Sequence, residues 1–261
     1  MNKTLIITGG SSGIGEATAR LFANKGWSVY ELSRHGKTND NIVHIDCDVT
    51  NETQVAQAVE AIAQKEEKID LLISNAGFGI SGAIEFTQTA DARRQLEVNV
   101  LGSLNIAKAV LPYMRQKRDG MIIFTSSVAA VLSIPYQAFY SASKSAINAL
   151  ALALRNEVSS FGIRVCAMMP GDVKTGFTAA RNKSQAGAEV YKSLNKSIAT
   201  MEKDEQNGMS AEQIAHKFWK IAQKHNPKPL YTTGAQYQIF VVLEKLLPKR
   251  LSNWIVGKIY C

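Results

Sequence analysis

The chain has 261 residues, 30 Lys and Arg against 22 Asp and Glu, a formal net charge of +8, and 46% apolar residues. That length suits one α/β domain with a large core, residues 1–261 in all, and leaves no room for an obvious second one. No apolar run reaches the roughly eighteen residues of a spanning helix, and the basic residues are scattered without a nucleic-acid motif, so part of the excess suits an anionic cofactor. Cys47, Cys166 and Cys261 are widely spaced and form no metal-ligand pattern, so core thiols in a reducing cytoplasm, and no metal, are expected. Lys3 leads at once into an apolar run, without the h-region of a signal peptide, which also fits a cytoplasmic protein.

Lys3-Thr4-Leu5-Ile6-Ile7-Thr8 reads as a buried strand and runs into Gly9-Gly10-Ser11-Ser12-Gly13-Ile14-Gly15, then into a helical pattern over 13–25. Strand, glycine-rich turn and helix start are the context in which such glycines bind a dinucleotide. Gly9 permits the turn, Gly13 lets a pyrophosphate approach, and Gly15 lets helix pack on strand. N–H groups near Ser12 to Ile14 then face the phosphates. The plain alternative is a tight turn. A second strand over 28–33 ends in Glu31-Leu32-Ser33-Arg34. A carboxylate at its end would bind the adenosine ribose and repel a 2′-phosphate, whereas arginine accommodates that phosphate. Ser33 and Arg34 therefore predict NADP(H), unless Arg34 is only a solvated loop charge; Glu31 points to the same face as Ser33 without reaching the loop.

Further strands are predicted at 41–47, 70–75, 120–126, 163–169 and 230–233, with helices at 51–67, about 88–117, 138–160 and 210–225. Such alternation predicts a Rossmann-type, doubly wound, mostly parallel sheet of seven strands with helices on both faces. Ligands in such sheets lie beyond the carboxyl ends of the strands. Asp48, Asn75 and Ser127 all fall at such ends. In the last long helix Tyr140 and Lys144 are four residues apart, one turn on one face. An ammonium beside a phenol favours the phenolate and makes it a proton exchanger for an alcohol or ketone. Ser127, thirteen residues before Tyr140, offers a hydroxyl for the same substrate oxygen, with Ser126 as its rival.

Thr8-Gly9-x-x-x-Gly13-x-Gly15, Asn75-Ala76-Gly77, Asn99, Ser127, Tyr140-x-x-x-Lys144 and Pro170-Gly171 resemble, in order and without a departure, the short-chain dehydrogenase/reductase family over about residues 3 to 235. The resemblance implies hydride transfer between NADP(H) and a carbonyl or secondary alcohol. It implies Tyr140 as general acid or base, Lys144 as its partner and ribose ligand, Ser127 as the group orienting the substrate oxygen, and Asn99 as a link from Lys144 to solvent. A buried, satisfied amide is the alternative for Asn99. It further implies that Gly9, Ser11, Ser12, Gly13, Ile14, Gly15, Ser33, Arg34, Asp48, Val49, Asn75, Ala76, Gly77, Pro170, Gly171, Val173 and Thr175 hold the cofactor; Asp48 alone also reads as a helix N-terminal acid.

Residues 176–209 are polar, with few large apolar anchors, and read as a substrate lid, where the family resemblance places one, or else as a tolerated insertion. Phe78, Ile80, Val128, Leu132, Ile134, Tyr136, Phe139, Met169 and Phe177 suggest a lipophilic pocket, hence a steroid-, retinoid- or acyl-like substrate. Pro248 should divide the tail 236–260 into two helices. The second puts Leu251, Trp254, Ile255 and Ile259 on one stripe near Lys249, Arg250 and Lys258. That pattern fits a helix lying on an anionic membrane, one capping the pocket, or one packing on a sister subunit. Small residues at Ala142, Ala146, Ala149 and Ala153 let another helix approach, and the family resemblance implies subunits paired along this helix in a homodimer or homotetramer; packing on the sheet is the alternative. A non-catalytic NADP(H) sensor on the same fold is the main competing function. An epimerase or dehydratase is a second, and the longer C-terminal domain usual for those is absent.

Overall fold

The computed structural model describes residues 2–39 and 41–261. In chain order the first half comprises β1 (Thr4–Thr8), α1 (Gly13–Asn24), β2 (Ser28–Ser33), β3 (Ile42–Asp46), α2 (Glu52–Lys65), β4 (Leu71–Ser74), β5 (Ile80–Ser81), α3 (Thr89–Leu96) and α4 (Gly102–Lys117). The second half comprises β6 (Gly120–Thr125), α5 (Ala138–Glu157), β7 (Ile163–Met169), β8 (Val173–Lys174), α6 (Phe177–Ala180), β9 (Asn182–Lys183), α7 (Leu194–Gln206), β10 (Met209–Ser210), α8 (Ala211–Ala222), β11 (Leu230–Thr232), α9 (Ala235–Leu246) and α10 (Lys249–Tyr260). Seven strands form one sheet in the order β11-β7-β6-β4-β1-β2-β3, every neighbouring pair parallel. The predicted fold is the observed one.

The strands are apolar on both faces because both are covered. Ile6, Leu72 and Ile122 face α2, α4 and α5, where Val55, Val59, Ile106, Val110 and Ile147 meet them. Their neighbours Leu5, Ile7, Leu71, Ile73 and Ile123 face α1 and α8, against Phe22, Ile214 and Phe218. Two cores on either side of one sheet hold its carboxyl edge rigid, and the loops that matter leave from that edge.

Two stretches differ from expectation. The helix predicted over about 88–117 is two helices joined by a π-turn, Glu97–Leu101. Residues 176–209 are more than a polar loop: α7 buries Leu194, Ile198 and Met201, one helical face, against Ile134, Tyr136 and Tyr191. Tyr136 itself has a left-handed backbone (φ 63°), and its hydroxyl meets Ser193 Oγ at 2.6 Å. As predicted, Pro248 separates α9 from α10.

Candidate active site

A cavity of about 690 Å³ runs along the carboxyl edge of the sheet. Of the expected site residues it is lined by Gly9, Ser11, Ser12, Gly13, Ile14, Ser33, Arg34, Asp48, Val49, Asn75, Ala76, Gly77, Ser127, Tyr140, Lys144, Pro170, Gly171, Val173 and Thr175. Gly15 and Asn99 stand behind its wall.

At the amino end of α1, Gly9 has φ +65° and passes so close to the next loop that a Cβ would meet Ala76 Cα at 2.9 Å. Gly15 has no room at all: its Cβ would lie 2.1 Å from Gly9 O. Both glycines therefore serve the strand–helix turn and its neighbour, while Gly13 (φ +54°) faces the cavity. The Ser12 side chain makes no bond to the helix end it precedes, which leaves the first N–H groups of α1 free for an anion. Asn75 locks β4 to β1, donating from Nδ2 to the carbonyls of Thr8 and Gly9, both at 3.2 Å. Asn105 Nδ2 donates to Val49 O at 2.9 Å and fixes the next segment. Burial pulls the Asp48 carboxyl up, but hydrogen bonds from the Thr50 N–H and hydroxyl, with Arg34 and Arg94 nearby, hold it below its ordinary value. Glu31 is buried beneath Gly10 and paired with His44, away from the cavity. Arg34 is thus the charged group that the end of β2 presents. This cradle of positive-φ glycine, open N–H groups and Arg34 fits a dinucleotide phosphate.

At the other end, Tyr140 and Lys144 project from α5 beneath the ends of β4 and β6. Lys144 Nζ donates to Thr125 O at 2.8 Å and lies 5.7 Å from the centre of the Tyr140 ring. Burial pushes the Tyr140 phenol up to about 12, partly countered by the Ser127 hydroxyl. The same burial brings the Lys144 ammonium down to about 8. Loss of solvent outweighs the lowering by Ser127 and Arg181, and the Lys144 ammonium is not among the groups that move the phenol. Ser126 spends its hydroxyl on the Lys144 carbonyl (3.1 Å), whereas Ser127, at the start of a short 3₁₀ turn, accepts from Ala129 N–H at 3.1 Å and lines the cavity with Tyr140.

Asn99 is 1% exposed and its amide is satisfied by protein alone. Oδ1 accepts from Phe78 N, and Nδ2 donates to Phe78 O and Ser143 Oγ, each at 3.0 Å. It holds the Phe78 loop against α5 and makes no direct hydrogen bond to Lys144, whose Nζ donates to Thr125 O. Of the expected pocket residues, Phe78, Val128, Ile134 and Phe177 line the cavity; Ile80, Leu132, Tyr136, Phe139 and Met169 do not.

Several lining residues carried no motif. Asp172, Met201, Glu205 and Tyr260 close the side of the cavity beyond Tyr140. Asp172 accepts a hydrogen bond from Tyr237, and Glu205 pairs with the buried Arg181. Burial raises the Asp172 carboxyl to about 6, opposed by the Tyr237 bond and reinforced by Asp204 and Glu205. Asp172 directly follows Pro170-Gly171 and was within reach of sequence reading. Glu205 and Tyr260 depend on α7 and α10 folding back, and no local pattern announces that.

Fold and site define an oxidoreductase with a nicotinamide-dinucleotide cleft. Residues 3–186 match the family model "short chain dehydrogenase", and the chain belongs to the short-chain dehydrogenase/reductase family. It is 39% identical over 263 residues to a 3-ketodihydrosphingosine reductase of Bacteroides thetaiotaomicron, covering 98% of this chain and 97% of that one. It is 30% identical over 278 residues to an NADPH-dependent 3-dehydrocapnine reductase of Ornithobacterium rhinotracheale, covering 97% and 95%. Its fold superimposes on a short-chain dehydrogenase from Streptomyces avermitilis with a TM-score of 0.85 at 24% identity, covering 99% and 97%.

Proposed function

We propose that this protein is an NADPH-dependent reductase of a lipophilic ketone, specifically a long-chain 2-amino ketone. The observation that carries the reading is the continuity of one cavity from Arg34 and the glycine turn, past Ser127, Tyr140 and Lys144, to a wall of Ile134, Phe177 and Met201 that also bears the Asp172 carboxyl. Arg34 and Ser33 suit a 2′-phosphate. The cofactor, when bound along the glycine turn, supplies the hydride. Ser127 holds the substrate carbonyl oxygen, and Tyr140, kept protonated at neutral pH by its burial, donates a proton to it. A phenol held as the acid is in the form that reduction of a carbonyl requires. The Lys144 ammonium, brought down to about 8 by burial and one helical turn from Tyr140, is the proton source from which the phenol is restored after transfer.

The apolar wall suits an acyl chain, and Asp172 suits an ammonium two atoms from the ketone oxygen. Dihydrosphingosine chemistry in the 39%-identical relative has that pattern, and the 30%-identical relative is named as NADPH-dependent. Residues 176–209 act as the lid, since α7 contributes Met201 and Glu205 to the cavity. Exposed Leu152 among the small residues of α5 supports pairing of subunits along that helix. Two buried thiols and one exposed thiol, all unpaired, suit a reducing cytoplasm.

The test is consumption of NADPH with 3-ketodihydrosphingosine and with a long-chain ketone lacking the amine, beside NADH and a Tyr140→Phe control. Turnover that needs NADPH and Tyr140 supports the reading. NADPH binding without turnover of any ketone would favour the sensor function instead.

A further inference from the structure

Among the described residues, fifteen large apolar side chains are exposed, and nine of them fall between Ile239 and Ile259. The two closing helices explain why. α9 turns Tyr237, Val241 and Glu244 inward, so Ile239, Val242 and Leu246 stand on its outer face, Leu246 with 75% of its surface in solvent. α10 turns Ser252 and Tyr260 inward and leaves Leu251, Trp254 and Ile259 outside, Trp254 at 59%. Apolar patches of this kind on a monomer mark a surface with a partner.

The charge around the patch selects the partner. Lys245, Lys249, Arg250 and Lys258 border it, and the one acid of the two helices, Glu244, is buried and paired with Lys249. Lys245, Arg250 and Lys258 have no acidic partner among the described residues. Lys258 lies 5.9 Å over the Trp254 ring, an apolar body beneath a cationic head. Two copies meeting through this face would bring like charges together. An anionic bilayer accepts both the apolar stripe and the basic rim.

The inner side of the same hairpin is the wall of the active site. Tyr260 of α10 lines the cavity, and Tyr237 of α9 hydrogen-bonds Asp172. We propose that α9 and α10 dock the protein on an anionic membrane surface, which sets the substrate cavity directly behind the docked face. The lipid-ketone reading gives this docking its purpose, but the docking is measured without substrate and stands or falls separately.

The experiment is co-sedimentation of the full chain with phosphatidylcholine vesicles containing phosphatidylglycerol, against phosphatidylcholine alone, at low and high salt and with no substrate or cofactor. Wild type should bind the anionic vesicles at least tenfold better, and salt should weaken that binding. Leu246→Ser/Trp254→Ser/Ile259→Ser should lose it while keeping the melting temperature and the turnover of a short soluble ketone. Lys245→Gln/Arg250→Gln/Lys258→Gln, which leaves the apolar face alone, should lose the preference for anionic lipid. Absence of wild-type binding, or equal binding by both variants, overturns the proposal. So does a dimer, seen by light scattering, that the triple-serine variant abolishes while vesicle binding is absent; that result assigns the face to a second copy.

Discussion

Replacing Asp172 with asparagine removes a charge that the fold holds at a loss. The native carboxyl titrates at about 6, against 3.8 for an ordinary aspartate, first because it is buried and then because Asp204 and Glu205 lie near. A native pKa above the unfolded one means that the folded chain binds this proton more tightly. The associated stability is complete below about pH 4, drains away as pH rises, and is gone above about pH 6. A shift of about two pH units corresponds to about 3 kcal/mol. Asp172→Asn keeps the shape and the acceptor for Tyr237, so relative to wild type it should gain up to about 3 kcal/mol between pH 4 and pH 7. In a chain of this size that is roughly 6–10 °C in melting temperature. Urea unfolding of both proteins across that range is the assay. A difference between variant and wild type that does not change with pH would refute the argument, because a packing or hydrogen-bond effect has no reason to titrate there.

On the proposed function, Asp172→Asn should also raise KM for the 2-amino ketone about tenfold, with little change for the ketone lacking the amine, a loss near 1.4 kcal/mol. Arg34→Ala should weaken NADPH binding roughly 10–100-fold and leave NADH within a few-fold, since only the former offers a phosphate to the guanidinium; titration calorimetry with both nucleotides decides it. Arg181→Met should destabilise by about 3 kcal/mol or more, because it strands Glu205 inside the protein, and Arg181→Met/Glu205→Leu should recover most of that loss in thermal melts. Gly15→Ala, whose Cβ would lie 2.1 Å from Gly9 O, should cost about 1–3 kcal/mol and NADPH affinity together, read by melting with and without cofactor.

The sheet was legible because each buried strand is a short apolar run, such as Thr4–Thr8 or Gly120–Thr125, ended by a turn signal. The carboxyl-edge site followed, since motifs at strand ends converge in any parallel sheet. Three things were not legible. A π-turn at Glu97–Leu101 leaves the helical period nearly intact, so Asn99 read as a mid-helix residue. α7 hides three anchors, Leu194, Ile198 and Met201, among charged neighbours that dilute their period. The Tyr140 phenol illustrates the third: spacing shows that Lys144 is near, but the loss of solvent that raises the phenol belongs to the tertiary structure. Tyr260 in the cavity wall depends on where a distant helix folds back, and adjacency in sequence says nothing about it.

The reading rests on Tyr140, protonated and half-buried beside Ser127, donating a proton to a ketone while NADPH supplies the hydride. The most direct measurement is NADPH oxidation by wild type and Tyr140→Phe with 3-ketodihydrosphingosine, together with NADPH affinity for both proteins. The account predicts turnover by wild type and a loss of about 10²–10⁴-fold in the variant at unchanged NADPH affinity. Full activity in Tyr140→Phe, or no ketone turned over by a wild type that binds NADPH, would contradict it.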